Sequence, residues 1–137
     1  MNKTTEENIQ NVVDEMFKLQ KKSNEFIKLL THDDTLSENL ILLLLKLKLY
    51  GHMKITEIAE GFMLTPGAAT NMCDKLEELQ LVERVRIKDD RRVVRVSLTN
   101  EGETKIASIF SKFSDEQLMN ISDILKDINK VFDKITK

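Results

Sequence analysis

Residues that interrupt helices are scarce in this sequence, which contains one proline and four glycines in 137 residues. Because proline and glycine disfavour helix interiors more than any other residue, most of the chain can be helical. Aromatic residues make up only 5% and tryptophan is absent, but 41% of the residues are hydrophobic, which is enough to build a core. We therefore predict one mainly α-helical domain over residues 1–137.

Cysteine is also rare, since Cys73 is the only one and cannot form a disulfide within the chain. This fits a reducing compartment, and we expect a cytoplasmic protein. The first seven residues are polar, unlike a signal peptide. The longest apolar run, 40–45, is far shorter than the about 18 residues that suggest a membrane span, so we interpret it as a buried core helix.

Motifs of the common enzyme classes are missing as well. The sequence has no glycine-rich phosphate loop, no nucleophile elbow and no metalloprotease helix. We expect neither enzymatic activity nor a cofactor.

The net charge of −2 excludes a protein that is basic throughout, but the charges are unevenly distributed. Residues 82–98 contain six basic and three acidic residues, which leaves +3 over 17 residues. The basic residues are Arg84, Arg86, Lys88, Arg91, Arg92 and Arg95. A local positive surplus of this kind is typical of nucleic-acid contact.

Long helices are predicted at both ends of the chain, because apolar residues recur there with helical spacing. The first stripe, in a helix over about 5–31, includes Ile9, Val12, Val13 and Met16, and the second includes Leu118, Ile121, Leu125, Ile128 and Phe132. Neighbouring segments are too short to cover these stripes, so a second copy of the chain is the natural cover. We predict that 5–35 and 103–137 are dimerisation helices.

The middle of the chain has signals for three shorter helices. Ser37 is a suitable N-cap for a helix over 37–50, and a very short strand could follow at 53–55. Thr56 is the predicted cap of a helix over 56–62. Thr65, followed by a proline that is tolerated at the first helical position, opens a helix that should run to about residue 80.

A β-hairpin and two further helices complete the pattern. Residues 82–87 and 93–98 are rich in β-formers, and a polar tip at 88–92 separates them. A helix follows from Thr99, and Ser114 has the capping-box spacing to Gln117 that separates it from the last helix.

Two short helices followed by a basic-tipped hairpin form a winged helix-turn-helix, and the sequence resembles the multiple-antibiotic-resistance-regulator (MarR) family. The resemblance is strongest over 56–102. Its most specific part is the run Asp89-Asp90-Arg91-Arg92, then strand residues, then Ser97-Leu98-Thr99 and Gly102. It implies a homodimeric regulator of transcription that binds double-stranded DNA through 36–102, and we expect a ligand-responsive repressor acting on a palindromic operator.

The resemblance also implies which residues contact DNA. Residues 65–79 would be the reading helix in the major groove, where Thr, Asn and Lys side chains recognise base edges or phosphates. Arg92 matches the family arginine that enters the minor groove, and Asp90 matches the acid that orients it. The candidate DNA-binding residues are Thr65, Pro66, Gly67, Ala68, Thr70, Asn71, Lys75, Arg86, Lys88, Asp90, Arg91 and Arg92, and Arg95 is a further possible phosphate contact.

Two departures from the family pattern affect this site. Met63 occupies a turn position where relatives often have glycine, so we expect a slightly different turn. Asp74, Glu77 and Glu78 lie in the reading helix and would repel DNA if they faced it, so we expect them on the flank away from the phosphates. The alternative function is a winged-helix protein-interaction module that does not read DNA.

Two smaller alternatives remain open. Cys73 could sense oxidants, as a cysteine in the first helix does in some relatives, but its position in the reading helix favours a buried filler. His32, Asp33 and Asp34 could bind a metal, although a solvated loop is the simpler interpretation.

Overall fold

The computed structural model describes residues 2–32, 34–88 and 90–136. The elements follow in the order α1 (Lys3–Thr31), α2 (Glu38–Tyr50), β1 (His52–Lys54), α3 (Ile55–Gly61), α4 (Pro66–Glu78), β2 (Val82–Ile87), β3 (Asp90–Leu98), α5 (Asn100–Phe110) and α6 (Asp115–Asp133). The strands form one antiparallel sheet in the order β1-β3-β2. Within the described ranges, no helix is long and apolar enough to cross a membrane.

Three of the predicted helix caps are confirmed. The side chains of Ser37, Thr65 and Ser114 each accept a hydrogen bond from the backbone amide three residues on, at 3.3, 3.1 and 3.1 Å. Gln117 completes the predicted capping box, because its side chain accepts from the amide of Ser114 at 2.8 Å. These local bonds set where α2, α4 and α6 begin.

The prediction that Thr56 caps the third helix is wrong. Helix α3 begins at Ile55 with Lys54 as its N-cap, and the Glu57 carboxylate accepts from the Lys54 amide at 2.8 Å. Because Glu57 satisfies that amide, the helix starts without a hydroxyl cap. The short strand is therefore 52–54 rather than 53–55.

The hairpin tip is tighter than the sequence predicts. Strand β3 begins at Asp90, not at residue 93, and Asp90 is paired with Ile87 after an irregularity that follows Arg86. The predicted polar tip over 88–92 thus lies partly within the ladder.

The apolar core lies between the short helices and one face of the sheet. Leu43, Leu44 and Leu47 of α2 are buried, together with Ile58, Ala69, Cys73, Leu76 and Val96. The run 40–45 therefore belongs to a core helix, as predicted.

A close backbone approach joins the start of α5 to the loop after α4. The amide of Thr99 donates to Leu81 O at 3.1 Å, and the Thr99 hydroxyl donates to Gln80 O at 2.6 Å. Gly102 N donates to the same hydroxyl at 3.0 Å. A Cβ on Gly102 would overlap Leu81 O, so only glycine fits where α5 meets this loop. The motif of Leu98, Thr99 and Gly102 thus fixes the exit of β3 against the end of α4.

Candidate nucleic-acid interface

Helix α4 presents one side to the core and the other to solvent. Ala69, Cys73 and Leu76 are completely buried against the rest of the lobe. Asn71 and Lys75 lie one turn apart on the open side and are exposed, whereas Thr70 is half-buried. Two of the three sequence-predicted reading side chains, Asn71 and Lys75, therefore share an accessible face of the helix.

The first turn of α4 is also open. Thr65, Pro66 and Gly67 are exposed, and Ala68 is half-buried. A Cβ on Gly67 would meet only Thr65 Oγ1, at 4.0 Å. Folding therefore does not require glycine at this position, and its small size leaves room for another molecule to approach the backbone.

The turn between α3 and α4 keeps a left-handed residue at the position of Met63, whose φ is +55° and whose side chain is 93% exposed. The amide of Leu64 donates to Ala59 O at 2.8 Å and closes this turn. Methionine thus takes a conformation that glycine adopts more easily.

The wing carries an arginine held out into solvent. The Arg92 side chain is 96% exposed, and its Nε lies 3.8 Å from Asp90 Oδ1. The acid expected to orient Arg92 is therefore beside it. Arg86 and Lys88 are exposed on the same hairpin. Asp89 and the side chain of Arg91 lie outside the described part of the structure.

Arg95 differs from the other wing cations because it lies inside the sheet. It is paired with Lys54 on one side and Val85 on the other. The side chain is half-buried, and its Nη1 atom is buried without a hydrogen-bond partner among the described residues. This position gives little support to Arg95 as a phosphate contact.

Arg84 of β2 reaches back to the C-terminal half of α4, a pairing that the sequence analysis missed. Its Nη2 donates to Asp74 Oδ1 at 2.6 Å, and its Nη1 donates to the Glu77 carboxylate. The hydrogen bond to Asp74 is the main cause of an Arg84 pKa above the usual value. The spacing of the two acids by three residues was the only signal, and it does not identify their partner.

Cys73 lies behind this ion-pair cluster in the core. It is completely buried, and burial raises the pKa of its thiol to about 11. A thiol that stays protonated is a poor nucleophile, which supports the filler interpretation. Redox sensing by Cys73 stays an untested alternative.

The polar loop after α1 is tied to α5. Asp34 lies 2.7 Å from Lys105 Nζ and accepts from the Leu36 amide at 2.9 Å. Burial alone would raise the pKa of Asp34, but the hydrogen bonds from Lys105 and Leu36 lower it overall. Asp33 lies outside the described residues, and the part of the chain that is described has no cluster of three potential metal ligands.

The two terminal helices leave apolar faces uncovered. No residue of α6 is buried, and in α1 only Leu30 and Thr31 are. The two helices line an apolar groove of about 890 Å³. Its apolar lining consists of Met16, Phe17, Leu19, Phe26, Ile121, Ile124, Leu125, Ile128 and Phe132. Of the other predicted dimerisation residues, Ile9, Val12 and Val13 are exposed, and Leu118 is half-buried.

A capped helix turned against a shorter one, followed by a hairpin with an exposed arginine, defines a winged helix-turn-helix protein. The family model that matches residues 36–94 is that of the MarR family. The HTH-type transcriptional repressor MdtR of Bacillus subtilis is 39% identical over 71 residues, which cover 52% of this chain and 46% of MdtR. This chain thus spans about half the length of that relative.

A second relative matches more of the chain. The uncharacterized HTH-type transcriptional regulator YhbI of Bacillus subtilis is 30% identical over 127 residues, covering 85% of this chain and 80% of YhbI. The chain belongs to the MarR family of transcriptional regulators. The resemblance stated from the sequence is thereby confirmed.

Solved structures show the same fold. A MarR family protein from Bacillus stearothermophilus has a TM-score of 0.62 and 23% identity, covering 100% of this chain and 99% of that one. A mutant of MarR from E. coli, complexed with operator DNA, has a TM-score of 0.53 and 19% identity, covering 86% and 96%. The predicted fold class, a mainly helical winged helix with helices at both ends, is confirmed.

Proposed function

We propose that this protein binds double-stranded DNA sequence-specifically as a homodimer and represses transcription at a palindromic operator. The observation that carries the proposal is the open polar face of α4 in a lobe whose wing holds Arg92 almost fully in solvent. The repressor name of MdtR and the operator DNA in the E. coli MarR complex support it.

In this proposal α4 enters the major groove with its N-terminal half toward the bases. Asn71 can pair with adenine through two hydrogen bonds, and Lys75, one turn further on, can reach guanine or a phosphate. Thr70 can bond to a base edge or touch a thymine methyl group. The open space at Gly67 lets the backbone come close to the DNA.

The wing would contact the adjacent minor groove. Its narrow, negatively charged floor attracts an inserted arginine, and Arg92 is the exposed candidate. Lys88 and Arg86 are exposed on the same hairpin and would contact phosphates, and we extend that role to Arg91 from the family pattern alone.

A second copy of the chain would cover the apolar faces of α1 and α6. Helix α6 has 19 residues without one that is buried, so its apolar face has too little cover within a single chain. We propose that the segments 5–35 and 103–137 form this dimerisation layer. Two-fold symmetry would then present two copies of α4 to two half-sites.

A small-molecule effector and a cytoplasmic site of action complete the proposal. The effector rests on family membership, and the cytoplasmic location rests on the single cysteine, which fits a reducing compartment. From the family resemblance, the effector would be a small, often anionic aromatic or phenolic molecule, bound between the dimerisation layer and the DNA-reading lobe.

Selection of bound duplexes from a random pool by the purified protein tests this function. We expect an imperfect palindrome whose half-site centres are about one helical turn, ~10 bp, apart. Asn71→Ala should relax the preference at one base pair and cost about 1–3 kcal/mol of binding free energy. Asn100→Ala, an exposed asparagine on α5, is the matched control. A pool without enrichment would refute DNA reading, and unchanged affinity and ranking in the Asn71 variant would remove that residue from it.

A further inference from the structure

The charges of α4 are confined to its C-terminal half. Residues 66–73 carry no charge, whereas Asp74, Lys75, Glu77 and Glu78 follow within five positions. This leaves three carboxylates against one ammonium group at the end of a helix proposed to lie on DNA.

All three carboxylates are close to the reading residues, since Glu78 follows Asn71 by seven positions and the other two share a flank with Thr70. Asp74 and Glu77 follow Thr70 by four and seven positions, so the three side chains share one flank of the helix. At 1.5 Å per residue, Asp74 lies about 6 Å along the axis from Thr70. That is shorter than the Debye length of about 8 Å at physiological salt, so bare carboxylates there would repel the phosphates beside the reading face.

Arg84 is placed to cancel much of this charge. Its side chain is 28% exposed, compared with 96% for Arg92 at the wing tip. Both arms of its guanidinium are engaged, one by Asp74 and the other by Glu77. A guanidinium that already gives a donor from each Nη to a carboxylate has fewer N–H groups left for a phosphate.

We propose that Arg84 is a positioning residue that masks the carboxylates of Asp74 and Glu77 from the DNA backbone, and that it does not contact phosphate itself. The inference rests on the proposed function, because masking matters only if α4 approaches DNA. Arg84 was counted among the basic residues of 82–98, and this proposal assigns its charge to α4 instead of to the wing's DNA contacts.

Four purified full-length proteins test this: the wild type, Arg84→Met, the double variant Asp74→Asn with Glu77→Gln, and the triple variant. The probes are the duplex enriched by selection and a random duplex of the same length, at about 50 and about 200 mM salt. At the lower salt, Arg84→Met should bind the selected duplex about tenfold more weakly than the wild type does. At the higher salt the loss of affinity should be smaller, because salt screens the repulsion between the two carboxylates and the phosphates.

The triple variant is the decisive protein. The three side chains carry one positive and two negative charges in the wild type and none in the triple variant, so it should bind at least as tightly as the wild type. Its slope of log affinity against log salt should match the wild-type slope, because no phosphate contact has been lost. Lys88→Met is the control, since loss of a proposed phosphate contact should flatten the slope by about 0.9.

Opposite results are equally clear. If Arg84 contacts phosphate, the triple variant stays as weak as Arg84→Met and its slope is flatter by about 0.9. If Arg84 only supports the fold, Arg84→Met loses the same factor of DNA affinity at both salt concentrations, and its midpoint of thermal unfolding is lowered as well. Either result overturns the masking role. If Arg84→Met does not fold, the comparison of the triple variant with the wild type is enough to test that role. A wild type that binds neither duplex refutes the proposed function, whereas a wild type that binds beside a weak triple variant refutes only the masking role.

Discussion

Gly102→Ala should strongly destabilise the protein, because the added methyl group would meet backbone that has little freedom to move. A Cβ at Gly102 overlaps Leu81 O and comes within 3.1 Å of Leu98 Cδ2 and 3.2 Å of Leu81 C. Leu81 O already accepts from the Thr99 amide at 3.1 Å, and Gln80 O accepts from the Thr99 hydroxyl at 2.6 Å. Relief of the overlap must therefore separate α5 from this loop and stretch both bonds.

The expected cost follows from three terms. Overpacking of a tight site costs about 2 kcal/mol. Two weakened hydrogen bonds add about 2 kcal/mol, and the better helix propensity of alanine returns about 1 kcal/mol. The net loss of about 3 kcal/mol in the free energy of unfolding is a large share of the about 5–15 kcal/mol that holds a typical domain folded.

Urea unfolding of Gly102→Ala measures this loss, at one fixed protein concentration because the proposed dimerisation would contribute to stability. Gly67→Ala is the matched control, since its Cβ would meet nothing nearer than Thr65 Oγ1 at 4.0 Å. That variant should be unchanged or up to about 1 kcal/mol more stable, and yet bind DNA more weakly if α4 lies close to the duplex. A Gly102→Ala protein within about 0.5 kcal/mol of the wild type, the usual range for innocuous surface changes, would refute the reasoning about this junction.

The remaining predictions concern the wing, the dimerisation layer and the thiol. Arg92→Ala should weaken binding to all sites, more for A·T-rich flanks, and flatten the salt slope by about 0.9. Asp90→Ala should weaken binding mildly if Asp90 orients Arg92, whereas tighter binding at two salt concentrations would contradict that role. Ile121→Asp combined with Ile128→Asp should sediment as a 15.8 kDa monomer or as unfolded protein, because a dimer would bury both acids without a partner. A wild type that sediments only as a monomer argues against the proposed dimer. Cys73, with a pKa of about 11, should be alkylated at about pH 8 more than a hundredfold faster after unfolding than in the native protein, and equal rates would show that it is accessible.

The elements whose signals are local in the sequence were predictable. Ser37 and Thr65 predict the starts of their helices, because a capping hydroxyl accepts from an amide only three residues away. The start of α3 was not predicted correctly, because the bond that caps it comes from a residue inside the helix. The Glu57 carboxylate accepts from the Lys54 amide, so the hydroxyl of Thr56 is not needed as a cap. The start of β3 was missed because the tip residues are polar, and polarity does not report which backbone groups enter a ladder.

The candidate site was predictable in its exposed residues but not in its electrostatics. A helical wheel places Asn71 on the open side of α4, because the buried positions Ala69, Cys73 and Leu76 define the other side. The environment of Asp74, in contrast, depends on Arg84, ten positions away across the turn at Gln80, whose φ is +63°. No local sequence pattern predicts which cation will pair with a carboxylate once the chain has reversed direction at such a turn.

That pairing changes how the charge of the wing should be counted. The net charge of +3 over residues 82–98 includes Arg84, which is bound to two acids outside that segment, and Arg95, whose guanidinium is partly buried within the sheet. The exposed cations of the hairpin therefore lie nearer its tip, on Arg86, Lys88 and Arg92 among the described side chains. A wing charged mainly at its tip suits contact with DNA at one point, such as a minor groove, better than a broad basic face that follows the backbone. In the proposed mode of binding, specificity would come largely from α4, and the ion pairs of Arg84 with Asp74 and Glu77 would keep two carboxylates beside Thr70 from repelling the phosphates.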